Sequence, residues 1–186
     1  MNQTVVIFES KYGSTKRYAQ WIAGALSCPI FEKKNFCPKD FKKYDIIIYG
    51  GGLYAGGVSG IRLLIQNWEL LSDKKIILFT CGLADPAEPV NVSHIREALS
   101  KTLPSEMMKN MKIFHLRGGI DYPHLNFVHK AMMSMLRKML LKKDPSELSN
   151  EDLQLLDSYG KKMDFTNPAA IQPIVEYIHN IPNVKL

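Results

Sequence analysis

The residues best equipped for chemistry follow the first apolar run of the chain, in Glu9-Ser10-Lys11-Tyr12-Gly13-Ser14-Thr15-Lys16. Three hydroxyl residues surround a single glycine, just ahead of a stretch with helical periodicity. A loop of this kind turns backbone N–H groups outward at a helix N-terminus, where the helix dipole favours negative charge. Ser10, Ser14 and Thr15 add hydroxyl donors. The segment lacks the Gly-Lys-Ser/Thr ending of a Walker loop, and it has one glycine where a dinucleotide fingerprint needs three. Its chemistry suits one phosphate monoester. A plain strand-to-helix turn with a Ser or Thr cap is the competing reading.

Two further groups stand in equivalent places. Gly51-Gly52-Leu53-Tyr54-Ala55-Gly56-Gly57 follows the third apolar run, and Thr80-Cys81-Gly82-Leu83-Ala84 follows the fourth. Glycines let a backbone approach a ligand closely, and Tyr54 offers a flat face for stacking. Each loop is a weak signal alone. Together they would surround one crevice, because all three lie at the carboxyl ends of strands.

The elements that must position them read as alternating strands and helices, the signature of βαβ units and a parallel sheet. Strands are expected at Val5–Phe8, Pro29–Lys33, Ile46–Tyr49, Ile76–Phe79 and Lys112–Leu116. Pro29, Lys33 and Lys34 suit the second to a sheet edge. Helices are expected from about Thr15 to Leu26, through Ile61, Leu64, Ile65, Trp68 and Leu71, and around Ile95 to Thr102. The continuous apolar strands imply burial on both faces. The fold expected is α/β, a doubly wound five-stranded parallel sheet of order 2-1-3-4-5 with helices on both faces. Its switch point lies between the first and third strands, where ligands bind. The pattern then changes to a helical insertion at about 122–165, within one domain covering 1–186. A helix from about Asn126 to Leu141 puts Val128, Met132, Met135, Leu136, Met139 and Leu140 on one stripe. A second helix begins near Ser149, with Ser149 and Asp152 as a capping-box pair and Gly160 as its stop. The last helix runs from Asn167 or Gln172 to Ile181.

Composition narrows the function classes. The chain has 186 residues, 46% hydrophobic and 23% charged, ordinary for a globular domain. No apolar run approaches a membrane span, and the N-terminus lacks a basic segment followed by a cleavable apolar one. The expectation is a cytoplasmic protein. Cys28, Cys37 and Cys81 form neither a metal-ligand spacing nor a disulfide framework, so free thiols and no metal are expected. The net charge is +6 and the isoelectric point about 9.1. Lys130, Arg137, Lys138, Lys142 and Lys143 carry nearly all of that charge in one segment without an acidic residue, which points to an anionic partner.

The loop Ser10-Lys11-Tyr12-Gly13-Ser14-Thr15 resembles the phosphate loop of flavodoxins, a hydroxyl-Gly-x-Thr pattern after the first strand, and the order and spacing of the chain resemble that family along nearly its whole length. The resemblance implies an FMN-binding, flavodoxin-like fold. Ser10, Lys11, Tyr12, Gly13, Ser14 and Thr15 would hold the phosphate. Leu53, Tyr54 and Ala55 would pack on one side of the ring, and Thr80, Cys81 and Gly82 would supply backbone contacts near its pyrimidine edge and tune the reduced form. Gly52, Gly56 and Leu83 complete the implied cofactor-binding set. Gly118-Gly119-Ile120-Asp121-Tyr122-Pro123, followed by the Met-rich basic helix, is similar to the quinone-dependent protoporphyrinogen dehydrogenases of bacteria. That similarity implies an FMN-dependent oxidoreductase of heme biosynthesis, acting on a porphyrinogen or quinone. The flavin would carry the chemistry, so neither paired carboxylates nor a nucleophile triad are needed, and no catalytic side chain is assigned. Tyr122, Pro123, Lys130, Arg137 and Lys138 would face the substrate or a membrane.

The basic helix admits three readings: ordinary packing on the domain, a wall for a substrate or partner, or peripheral attachment at the inner face of the membrane. The rival function is a flavodoxin-type electron carrier that serves a redox partner protein and has no substrate of its own. Carriers of that kind are typically acidic, and the basic insertion argues for the enzyme. Nucleic acid is not an expected partner. His115 and His94 read as structural or surface residues, and His124 and His129 lie near the proposed substrate side without an assigned role.

Overall fold

A computed structural model describes residues 3–54 and 56–182. The chain begins with β1 (Thr4–Glu9), α1 (Ser14–Leu26), β2 (Ile30–Glu32) and β3 (Ile46–Tyr54), whose end folds back as the short β4 (Gly57–Val58). It continues through α2 (Arg62–Gln66), β5 (Lys75–Gly82), α3 (Pro89–Thr102), α4 (Ser105–Asn110) and β6 (Met111–Arg117). The parallel sheet has the order β2-β1-β3-β5-β6. With β4 set aside as a hairpin arm, this is the expected 2-1-3-4-5 order, with β2 at one edge.

Alternation along the strands explains how the sheet is covered. Val5, Ile7, Ile47, Tyr49, Ile76 and Leu78 face one way and pack with Leu64, Leu71, Leu99 and Met107. Val6, Phe8, Ile46, Ile48, Ile77 and Phe79 face the other way, onto Tyr18, Ala19 and Ile22 of α1. The last helix, α7 (Gln172–His179), closes that second face with Ile174, Val175 and Ile178. Successive residues of a strand point to opposite sides, so a run apolar at every position needs helices on both.

The strands run further than their apolar residues suggest. β3 passes through Gly50, Gly51 and Gly52 and reaches Tyr54, paired to β5 as far as Gly52 with Cys81. The glycines are therefore part of the sheet and not the start of a loop. Side chains from neighbouring segments claim the space: a Cβ on Gly50 would lie 2.0 Å from the Phe79 ring, and one on Gly51 2.3 Å from Val58. The helix expected across Ile61–Leu71 is shorter. α2 ends at Gln66, where the Asn67 side chain donates to the Leu63 carbonyl, and a 3-10 turn covers Trp68–Leu70.

After β6 the insertion comprises β7 (Gly119–Asp121), α5 (Phe127–Leu140), α6 (Asn150–Asp157) and β8 (Lys162–Asp164). β7 and β8 form an antiparallel ribbon that the sequence reading did not anticipate, since each strand has only three residues. The Ser149–Asp152 capping box is present in both directions. α6 stops at Asp157, ahead of Gly160, which serves the turn into β8 with φ +83. Arg117 ties the insertion to the sheet edge: it pairs with Asp85 at 2.9 Å, donates to Gln154 at 2.7 Å and stacks on Phe165 at 4.0 Å. Beneath α5 lies a small cluster of Ile120, Tyr122 and Leu125, against which Met133 and Tyr159 pack.

Candidate functional site

The three glycine- and hydroxyl-bearing segments converge at the carboxyl edge of β1, β3 and β5. Ser10, Tyr12, Ser14, Thr15, Leu53, Tyr54, Cys81, Gly82 and Leu83 line one cleft with a cavity volume of about 190 Å³. At its base, Gly13 holds φ +98 at the N-cap of α1, and no side chain caps that helix. The Ser or Thr cap of the competing reading is absent: Ser10 Oγ accepts at 3.1 Å from the N–H of Gly13, the N-cap residue itself, and not from a residue of the first helical turn. The opening N–H groups of α1 thus have no side-chain acceptor, which suits them to an anion.

Gly52 and Tyr54 work as a pair. A Cβ on Gly52 would sit 2.7 Å from the Tyr54 ring, so the missing side chain is what lets the ring fold back along the strand end. Burial pushes the Tyr54 hydroxyl up to about 12. Across the cleft, a Cβ on Gly118 would meet the Cys81 sulfur at 2.8 Å and Ser14 Cβ at 3.3 Å. The Gly118 N–H donates to the Gly82 carbonyl at 2.6 Å. Burial raises the Cys81 thiol to about 12, against a hydrogen bond with Thr15 that lowers it. Cys81 is therefore a neutral thiol at physiological pH and part of the wall, not a nucleophile.

Several expected residues stand elsewhere. The Thr80 side chain is fully buried and shares a 2.7 Å hydrogen bond with His115 Nδ1, so it turns away from the cleft, and His115 gains a partner the sequence did not reveal. Gly56 lies beside Ala98 of α3, outside the cleft. Lys11 borders a neighbouring groove with Lys33 and Lys34. Ala55 lies outside the described residues. Tyr122 is buried against Tyr159, so it supports the insertion and does not face a substrate. The Pro123 carbonyl accepts from Lys130 Nζ at 3.1 Å, and Arg137 lies over the Tyr159 ring at 4.7 Å.

The insertion, for which a wall beside the cleft is one of the three expected readings, supplies lining residues that the sequence did not single out as cofactor contacts: Gly118, Gly119, Ile120, Leu125, His129, Met132 and Met133. His129 is the most connected. Its ring stacks on Tyr54 with centroids 4.9 Å apart and planes 17° from parallel, and Nδ1 shares a 2.7 Å hydrogen bond with Tyr12 Oη. Asn126 caps α5 by accepting from the His129 N–H, which fixes the first turn over the cleft. Burial, helped by Lys11, lowers the His129 pKa and favours the neutral ring. The doublet Gly118-Gly119 at the end of β6 is the available sequence signal; His129 is legible only as lying near the substrate side, with nothing to show its partners.

The model of the flavodoxin domain family matches residues 5–149. The chain belongs to the flavodoxin domain family. Among solved structures, this flavodoxin-domain protein is similar to a putative flavoprotein from Bacteroides eggerthii, at 14% identity over 62% of this chain and 86% of that one, TM-score 0.44. It is also similar to a WrbA-like flavodoxin from Agrobacterium tumefaciens, at 17% identity over 95% and 99%, TM-score 0.43. A flavoprotein from Lactobacillus acidophilus in complex with FMN matches at 15% identity over 63% and 93%, TM-score 0.40. A comparison with curated protein sequences finds no match.

Proposed function

We propose that this flavodoxin-domain protein binds one FMN in the cleft and acts as an oxidoreductase on a planar redox partner of porphyrinogen or quinone type. The observation that carries the cofactor reading is the uncapped start of α1 behind the left-handed Gly13, at the foot of a cleft with a largely apolar wall. Its donors suit one terminal phosphate, and the slot between the Leu53–Tyr54 strand end and the Gly82–Gly118 backbone suits a flat ring. FMN supplies hydride or single-electron transfer when bound.

The chain's own residues supply position and environment. Backbone N–H groups of Ser14 and Thr15, with the Ser10 and Ser14 hydroxyls, hold the phosphate. Leu53, Cys81 and Leu83 keep water from the ring, and Tyr54 stacks. What favours an enzyme over a carrier is α5: His129, Met132 and Met133 wall one side of the cleft and leave a planar molecule a defined approach. The basic charge of the insertion agrees with a carboxylate-bearing substrate.

The test begins with the visible spectrum of protein loaded with FMN. Ser10→Ala with Ser14→Ala should weaken FMN binding by about tenfold or more for each charge-assisted hydrogen bond lost. Thr15 is spared because its hydroxyl already serves Cys81. Unchanged affinity in the double variant would remove the phosphate from this loop. Turnover of a porphyrinogen with a quinone acceptor then separates enzyme from carrier: a protein that binds FMN, exchanges electrons with redox proteins and leaves both small molecules untouched is a carrier.

A further inference from the structure

We infer that the outer face of α5 docks the protein onto an anionic lipid surface. Among the described residues, nine large hydrophobic side chains are exposed, and seven of them lie between Phe127 and Leu141. At about 3.6 residues per turn, His129, Met133 and Leu140 share the side turned toward the protein. Val128, Met132, Met135, Leu136 and Met139 form the adjoining arc, which faces solvent. Phe127, at 85% exposure, opens the helix beside Lys138, beyond the edge of the arc. The stripe that would be core in an ordinary packed helix is uncovered here, so the packing reading fails for most of it.

Charge decides the occupant. Residues 127–143 hold five Lys and Arg and no acid. Three of the five are engaged within the chain: Lys130 with the Pro123 carbonyl, Arg137 over Tyr159, and Lys143 with Asp152 at 3.2 Å. The Lys138 and Lys142 side chains make no ion pair or hydrogen bond among the described residues; on the helical wheel Lys138 borders the apolar arc on its far side, and Lys142 follows in the turn just past the helix end. An apolar arc edged by unpaired lysines matches acyl chains beneath anionic head groups. A second copy docked arc to arc would bring the same basic segment against itself, and residues 127–143 hold no acid to answer it. A protein interface would accept the methionines, but its core is depleted in lysine, so the lysine edge is what favours anionic head groups over a protein partner. Met132 belongs both to the arc and to the cleft wall, so the cleft opens beside the docked face.

The docking face involves no cofactor contact, and vesicle binding is read separately from FMN binding or turnover. The full-length protein, incubated with FMN, is sedimented with phosphatidylcholine vesicles with or without phosphatidylglycerol. It should pellet with the anionic vesicles only, and less so as salt rises. Lys138→Gln with Lys142→Gln should cut the bound fraction severalfold. Val128→Ser with Met135→Ser and Met139→Ser should abolish binding while far-UV circular dichroism stays at the parent signal. Absence of parent binding to anionic vesicles overturns the inference. So does equal binding to neutral vesicles, or a dimer in light scattering that Met135→Ser dissociates, which would assign the face to a second copy.

Discussion

In β5, Ile77, Leu78 and Phe79 are wholly enclosed, each side of the strand covered by helices that the same chain delivers. In α5, Val128, Met135 and Met139 repeat with equal regularity and face solvent. The two regions differ in what surrounds them, not in how apolar they are. A crossover helix packs onto the sheet because its flanking strands place it there. The insertion hangs from β6 and closes over only a small cluster, which takes up Met133, while Leu140 is buried as well. Periodicity reveals that a face is apolar; it is silent on what covers that face.

The strongest test of this contrast is Phe79→Ala. The Phe79 ring fills the space left beside Gly50, and truncating it should cost about 3–5 kcal/mol in urea unfolding. A loss below about 1 kcal/mol would mean that the sheet is not where the stability resides.

A second test compares two histidines, one in each region. His115 in β6 is held below the usual imidazole range, at about 4, by burial and then by the nearby Arg96 charge. Its Nε2 is buried without a partner among the described residues. The unfolded chain binds the proton more readily, at a pKa of about 6.5, so acid favours unfolding. This contribution is flat above that value, and stability falls as pH drops toward 4. His115→Gln should remove that part of the pH dependence. His129→Gln should alter it less, because that ring lies near the surface of the insertion. Equal effects from the two would erase the distinction between a buried sheet and a loosely seated helix.

The same contrast explains what the sequence made legible. Apolar runs such as Ile46–Tyr49 disclosed the strands and their order, because burial on both faces leaves an unbroken signal. The ends did not show, since glycines in β3 carry no side chain to mark them. The phosphate-type loop was visible because its residues are contiguous. His129 was not: it meets Tyr12 across a separation of 117 residues, and only the seating of the insertion brings them together. β7 and β8 were missed because three-residue strands have no usable period. Thr80 stands at a strand end as its place in the sequence suggests, and strand alternation aims its hydroxyl at His115, a partner 35 residues away that no local pattern discloses.

The smallest expected effect is also the one that most sharpens the comparison. Met135→Ser with Met139→Ser removes two thioether side chains from a helix, a change that in a packed core would cost several kcal/mol. Here both side chains are more than half exposed, so little transfer energy is lost and no cavity forms. Serine is a somewhat poorer helix former than methionine, a penalty that the tertiary anchors of α5 can absorb: the Asn126 cap, His129 against Tyr12 and Tyr54, and Arg137 over Tyr159. The double variant should therefore unfold within about 1 kcal/mol of the parent. A loss of about 3 kcal/mol or more would show that the two methionines are covered in solution, and α5 would then belong with the sheet as a buried element. A near-neutral result, with apolar residues retained where polar ones would serve stability equally well, leaves their role to whatever the face contacts outside the chain.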